Sequence, residues 1–192
     1  MRTDETEQAY KALEMTSEQL SQVIEDSHRW VWAIISLQMS LQGFMILALR
    51  NTNSLNVIRD DDAKKWMRAY DNHKPLPVVK LDSFPNLYKK IKSETILINV
   101  YSKVFYSRDS HDSSVKRLNE LRNEFIHFVP AHLSLEISGL PRIFKDCLEI
   151  IKFLVFDSGN ISWDDETLES NTRSLIDEIS SIAVALEAKY SS

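Results

Sequence analysis

Residues 30 to 49, "WVWAIISLQMSLQGFMILAL", are twenty consecutive positions without a charge, bracketed by Arg29 and Arg50. No other feature of the chain constrains its fold so strongly. A helix of this length and polarity is long enough to cross a bilayer. Ser36, Gln38, Ser40, Gln42 and Gly43 interrupt the run, however, and no second apolar segment of that length exists for it to pack against. Ala33, Ser36, Ser40 and Gly43 form a small-residue stripe at helical spacing, which lets a neighbouring helix approach closely. The run therefore reads as the central helix of a bundle, buried nearly all round, rather than as a membrane span. Thr16 followed by Gln19 has capping-box form, which predicts a helix from there to about Arg50.

The rest of the chain supports an all-α fold. Three glycines and five prolines in 192 residues are too few for many tight β-turns, and no linker divides the chain, so a single domain over 1–192 is expected. The acid-led stretch "DDDAKKWMRAYDN" predicts a short helix. Asp82 or Ser83 can cap another, with Pro85 in its first turn. "ETILINVYSKVFYS" fits strand or helix and is read as helix, and "RDSHDSS" as a polar loop. Further helices are predicted from about Ser114 to Phe128, from a cap at Ser138 onward, and over about 165–190. The last carries Leu168, Thr172, Leu175, Ile179, Ile182 and Leu186 as a narrow seam for a partner helix, within the chain or across a dimer.

Several function classes are disfavoured. Cys147 is the single cysteine and lies among Phe144, Leu148 and Ile151, as a buried, inert thiol would. The N-terminal segment lacks the basic region and apolar run of a signal peptide, so a cytoplasmic location without membrane association is expected. Glycines at 43, 139 and 159 alone leave no phosphate-cradling loop. His28, His73, His111, His127 and His132 are scattered without acids or cysteines at ligand spacing, so no metal and no other cofactor is expected. The formal charge is -5, yet residues 80 to 122 carry nine basic and five acidic residues. A basic surface of that kind can attract phosphate, although solvated helix faces commonly show the same asymmetry.

Within "RLNELRNEFIHFVP", residues 117 to 130, Leu118, Leu121, Phe125 and Phe128 share one side of a helix. Asn119, Asn123 and His127 follow one another along the opposite side. Arg122 lies about 140° around the helix from His127, with Ile126 on the arc between them. Such polar residues are common on the wet side of any amphipathic helix. As a set they are also chemically coherent: a group titrating near neutral pH, a fixed cation suited to phosphate, and an orienting amide. Because Arg122 and His127 diverge, two such helices meeting about a two-fold axis would bring them together more readily than one.

Arg122, Asn123 and His127 match the R-N-x-x-x-H form of the Rx4-6H motif, and here the chain resembles the HEPN domain family. The bundle would span about 17–158, with the last helix as an addition. The long apolar helix followed by "LNELRNEFIHF" is also similar to a bacterial subgroup of plasmid-borne or defence-associated proteins. The resemblance implies a homodimeric, metal-independent endoribonuclease, a toxin or antiviral effector that a neutralising antitoxin would hold in check. His127 would be the general acid or base for attack of a ribose 2′-hydroxyl on the adjacent phosphate. Arg122 would stabilise charge on the phosphorus centre, Asn123 would orient His127 or bind a phosphate oxygen, and the product would carry a 2′,3′-cyclic phosphate. The alternative is a non-catalytic helical module that binds nucleotide, RNA or a partner protein through the same residues.

Overall fold

Thr16 does not start a helix. In the computed structural model, which describes residues 3–50, 52–127, 135–163 and 165–190, the first helix α1 (Glu5–Ser21) begins eleven residues earlier. Asp4 caps it, its Oδ1 accepting from the Glu7 N–H at 2.8 Å, and Glu5 and Glu7 complement the helix dipole. Thr16 is fully buried, and its hydroxyl turns back to donate to the Ala12 carbonyl at 2.8 Å and to Ser36 Oγ at 3.0 Å. A turn in which Asp26 Oδ1 accepts from the His28 N–H separates α1 from α2 (Arg29–Leu49). The single helix expected from Thr16 to Arg50 is thus the last third of α1 plus α2, packed as an antiparallel pair.

The small-residue stripe of α2 does what its spacing predicts, and its partner is α1. Ser36 meets Thr16, and Ser40 Oγ donates to the Ala9 carbonyl at 3.1 Å. A Cβ on Gly43 would lie 2.7 Å from that of Ala9, so only glycine permits the approach. Trp30, Ile34, Leu37, Leu41, Phe44 and Met45 of α2 are fully buried and form the centre of the core. Burial is not complete around α2, because Trp32 and Met39 are 56% and 55% exposed. Among the described residues α2 is the one helix long and apolar enough to cross a membrane, and most of it lies inside the bundle.

The short helices α3 (Asp60–Asp71) and α4 (Phe84–Ile91) follow. Asp82 organises the start of α4: its Oδ1 accepts from the Ser83 N–H and from Asn86 Nδ2, both at 2.8 Å, and Pro85 sits in the first turn. Lys90 ties α4 to the start of α3 by donating to Asp82 Oδ2 at 2.8 Å, Asp60 Oδ1 at 3.0 Å and the Ile58 carbonyl at 2.7 Å.

The helix expected over "ETILINVYSKVFYS" is absent. After a 3-10 turn, Glu94–Ile96, the chain runs without helix to Arg108. Asn99 Oδ1 accepts from the Tyr101 N–H at 2.8 Å, a local bond that competes with helix. Distant groups hold the rest: Asn160 Nδ2 donates to the Ile96 and Ala48 carbonyls, and the Lys103 N–H to the Ser158 carbonyl. Val100 and Tyr101 are 91% and 78% exposed, so the apolar pattern there has no core to face.

"RDSHDSS" is not a loop but the first turns of α5 (Asp109–Ile126). Its start is capped locally, His111 accepting from the Arg108 N–H, and side chains of its first turns bond to α6. Ser138 does not cap α6 (Leu140–Lys152): Gly139 holds that position, and Ser138 Oγ donates instead to Glu136. The π-helical turn Phe153–Asp157 extends α6. Trp30 meets Phe144 of α6 edge to face at 5.5 Å. In α7 (Glu166–Tyr190) the buried seam is Thr172, Ile176, Ile179, Ala183 and Leu186. Leu168, Leu175 and Ile182 flank it half-buried, a slight rotation of the expected stripe. Its partners lie within the chain, because α7 packs on α1 and α6. The fold is all-α: the described residues hold seven α-helices and no strand, only an isolated bridge between Ile58 and Leu81.

Candidate functional site

Helix α5 positions the three residues singled out from sequence. Val115, Leu118 and Leu121 are buried and Phe125 is half-buried, which fixes the helix's rotation against the core; Phe128 lies outside the described residues, as does His132. That rotation sends Arg122, half-buried, into a cleft of about 300 Å³ at the α1–α2 pair, lined by Glu5, Gln8, Gln38, Met39, Gln42 and Gly43. Its guanidinium is steered by Asn123, whose Oδ1 accepts from Nη1 at 3.0 Å. The Nε–H of Arg122 is buried and has no acceptor among the described residues. A buried donor without a partner costs about 1–3 kcal/mol, so this edge of the guanidinium is poised for an oxygen ligand.

His127 ends α5. Its backbone N–H donates to the Asn123 carbonyl at 3.1 Å, and its exposed ring has no hydrogen-bond or ion-pair partner among the described residues. Ile126 beside it is 37% exposed. The structure therefore brings Arg122 and Asn123 together and shows no bond from the His127 ring to either; the helical angle of about 140° turns His127 away from Arg122, while Asn123 lies on the same face as His127.

A second polar cluster escaped the sequence reading. His111 of α5 is buried, and its Nδ1 accepts from the Arg108 N–H at 3.1 Å. In the neutral ring the proton is then on Nε2, 3.0 Å from Glu149 Oε2 of α6. Arg108 pairs with the same carboxylate. Next to it, Ser114 Oγ donates to the buried Asp146 at 2.6 Å and Ser110 Oγ at 3.3 Å. The residue types are those of a hydrolase triad, but both hydroxyls are spent on Asp146 and neither pairs with His111. The cluster is the clamp that fixes the N-terminal turns of α5 to α6. Because its acids come from the far helix, no local signal in "RDSHDSS" could have exposed it.

A third feature is a cleft of about 330 Å³ between α4 and α5, lined by Phe84, Pro85, Tyr88, Lys89, Lys116 and Asn119 among others. Tyr88 donates to Asp112 Oδ1 at 2.7 Å, and Lys92 reaches the same atom at 2.8 Å while lying 4.4 Å from the Tyr88 ring centre. Burial, reinforced by Asp112, pushes the Tyr88 phenol well above its ordinary range. Burial also works to raise the Asp112 carboxyl, but hydrogen bonds from Lys92, Tyr88 and Ser107 outweigh it and hold that group below the usual range.

Among the described residues no three His, Cys, Asp or Glu side chains gather as a metal site would need. No family model, curated protein or solved structure shows a significant match to the chain.

Proposed function

We propose that this chain is a metal-independent endoribonuclease of the HEPN type, working as a homodimer and serving as a toxin or antiviral effector under the control of a neutralising antitoxin. The observation that carries the reading is the pairing of Arg122 with Asn123 beside a buried Nε–H that has no acceptor among the described residues, five residues before an exposed histidine on the same helix. In this reading His127 removes the proton of a ribose 2′-hydroxyl as the oxygen attacks the adjacent phosphorus. A general acid then protonates the departing 5′-oxygen, and a 2′,3′-cyclic phosphate forms. Arg122 offers a fixed cation to the phosphoryl oxygens, and Asn123 holds that cation in place.

The divergence of Arg122 and His127 on α5 calls for a second copy of the chain. Exposed Met39, on the wall of the Arg122 cleft, and exposed Ile126, beside His127, are apolar side chains suited to being covered by one. A non-catalytic module remains the competing account, favoured by the orientation of Arg122 into its own protomer's cleft, away from His127.

The test is cleavage of tRNA and total RNA by the purified protein in excess chelator, beside His127→Ala and Arg122→Ala. Wild type is expected to release fragments with cyclic-phosphate ends, and each substitution to slow the reaction by about 10²-fold or more. Equal cleavage by all three proteins, or none by wild type, sinks the proposal. Binding without turnover would favour the module.

A further inference from the structure

The cleft between α4 and α5 lies outside the three-residue site and has its own chemistry. Its floor is apolar: Phe84, Tyr88 and Val115 are buried, and Pro85 closes one side. Its rim is basic. Lys89 is exposed and has no acidic partner among the described residues, and the nearest acid to Lys116 is Glu120 at 4.0 Å, the limit of an ion pair. Lys92 is already fixed against Asp112 and the Tyr88 ring. These lysines supply three of the nine basic residues that make the stretch 80 to 122 positive in an otherwise acidic chain.

Position along α5 connects this cleft to the candidate site. Asn119 lines the cleft and is also the first member of the stripe Asn119, Asn123, His127. At 1.5 Å per residue, Asn123 is about 6 Å and His127 about 12 Å farther along the helix axis. A chain held in the cleft would run past Asn123 to His127 along one face of a single rigid element.

We infer that the α4–α5 cleft holds the RNA strand on one side of the cut, with a base against exposed Pro85 and the small part of Phe84 and Tyr88 that lines the cleft, and backbone phosphates on Lys89 and Lys116. The inference rests on the ribonuclease reading for its direction toward His127. An apolar floor with exposed lysines on its rim suits a nucleotide, which offers a flat face and a charge together. An acidic peptide would answer to the rim but leave the floor uncovered.

The test uses the full-length chain carrying His127→Ala, so that RNA is not cut. A labelled single-stranded oligoribonucleotide is titrated in chelator, with and without Lys89→Glu and Lys116→Glu. Both lysines are exposed, so the fold should survive, which circular dichroism checks. The double substitution is expected to weaken binding roughly tenfold at about 50 mM salt and to make the salt dependence shallower by about 1.4 in slope. Unlabelled polyglutamate should compete far less well than RNA. Unchanged affinity and slope, no RNA binding by the lysine-intact protein, or polyglutamate competing as well as RNA would each overturn the inference. A parallel cleavage assay without the His127 change separates the two ideas. Lysine-dependent binding with no cleavage by wild type removes the ribonuclease reading alone, whereas cleavage with an unchanged KM in the lysine variant removes the cleft alone.

Discussion

Gly43→Ala would test the close approach of α1 to α2. The added Cβ would sit 2.7 Å from the Ala9 Cβ and 3.2 Å from its Cα, where carbon atoms prefer about 3.5–4.0 Å. The obstacle is backbone and a first side-chain carbon, neither of which can swing aside, so α1 must back away from α2 by somewhat under about 1 Å. Overpacking of this kind costs about 1–3 kcal/mol. The shift also stretches the bond from Ser40 Oγ to the Ala9 carbonyl, now 3.1 Å, worth about 1 kcal/mol. Against these stands the helix propensity of alanine over glycine, about 1 kcal/mol. The net expectation is a loss of about 1–2 kcal/mol in urea unfolding, with an unchanged m-value.

Ala9→Gly supplies the control, because it removes the first of the two obstructing atoms and leaves the second. Alone it should cost about 1 kcal/mol from helix propensity. Combined with Gly43→Ala it should cost less than the sum of the two by about 1 kcal/mol, the signature of two residues in direct contact. If Gly43→Ala were as stable as wild type or more so, the propensity gain would be acting unopposed, and α1 could not lie where the Ala9 contact places it. The reasoning would then be wrong for the whole α1–α2 pair, including the cleft that receives Arg122, since Ala9 and Gly43 both line it.

Two further outcomes follow from the buried charges and the thiol. Lys90→Met would leave Asp82 buried with its two remaining hydrogen bonds but no cation, a loss of about 3 kcal/mol in urea unfolding at neutral pH. Burial works to raise the Asp82 carboxyl, but the bonds from Lys90, Asn86 and the Ser83 N–H outweigh it and hold the folded-state pKa below the ordinary value. Its contribution is therefore complete above about pH 4 and is lost as pH falls through the depressed folded value. The unpaired Asp82 of the variant should instead be raised, so the gap between the two proteins should narrow on acidification; a gap that widens would contradict the assignment. Burial pushes the Cys147 thiol far above its ordinary range, so a thiol-specific reagent should label it only after unfolding.

How much of this was legible depended on where each element finds its partners. The helices α3 and α4 carry their own signals, three acids at one start and Pro85 at the other, and appear where those signals put them. The small-residue stripe of α2 announced a close neighbour without naming it, because Ala9 lies 34 positions from Gly43 and nothing local marks it. Thr16 misled because a threonine hydroxyl serves equally as a cap and as a donor to the carbonyl four residues back, and burial against Ser36 selected the second. The start of α5 has a local cap in His111, which accepts from the Arg108 N–H, and the run after Ile96 a local bond at Asn99, but both are also anchored from far along the chain. Each is held by side chains from the last third of the chain, Asp146 and Glu149 in one case and Asn160 in the other.

The candidate site divides along the same line. The divergence of Arg122 from His127 follows from helical geometry alone, and the structure keeps it. That Arg122 enters a cleft could not be read, because the walls of that cleft come from α1 and α2, about eighty or more residues earlier. The two residues consequently have different mechanical settings. Arg122 sits where α5 packs on the core, aligned by Asn123, on a helix clamped at its far end by the Asp146 and Glu149 bonds. His127 stands at the last turn, with its ring in solvent. A general base needs placement to within a fraction of an ångström, and a lone exposed ring at a helix end does not have it. The ribonuclease reading therefore requires something to seat His127 against Arg122 and its phosphate, and a second α5 docked over Met39 and Ile126 is the element of this chain that could do so. Substituting Met39 and Ile126 together by aspartate should then abolish both dimerisation and cleavage while leaving the monomer folded, and a variant that still cut RNA as a monomer would refute the composite site.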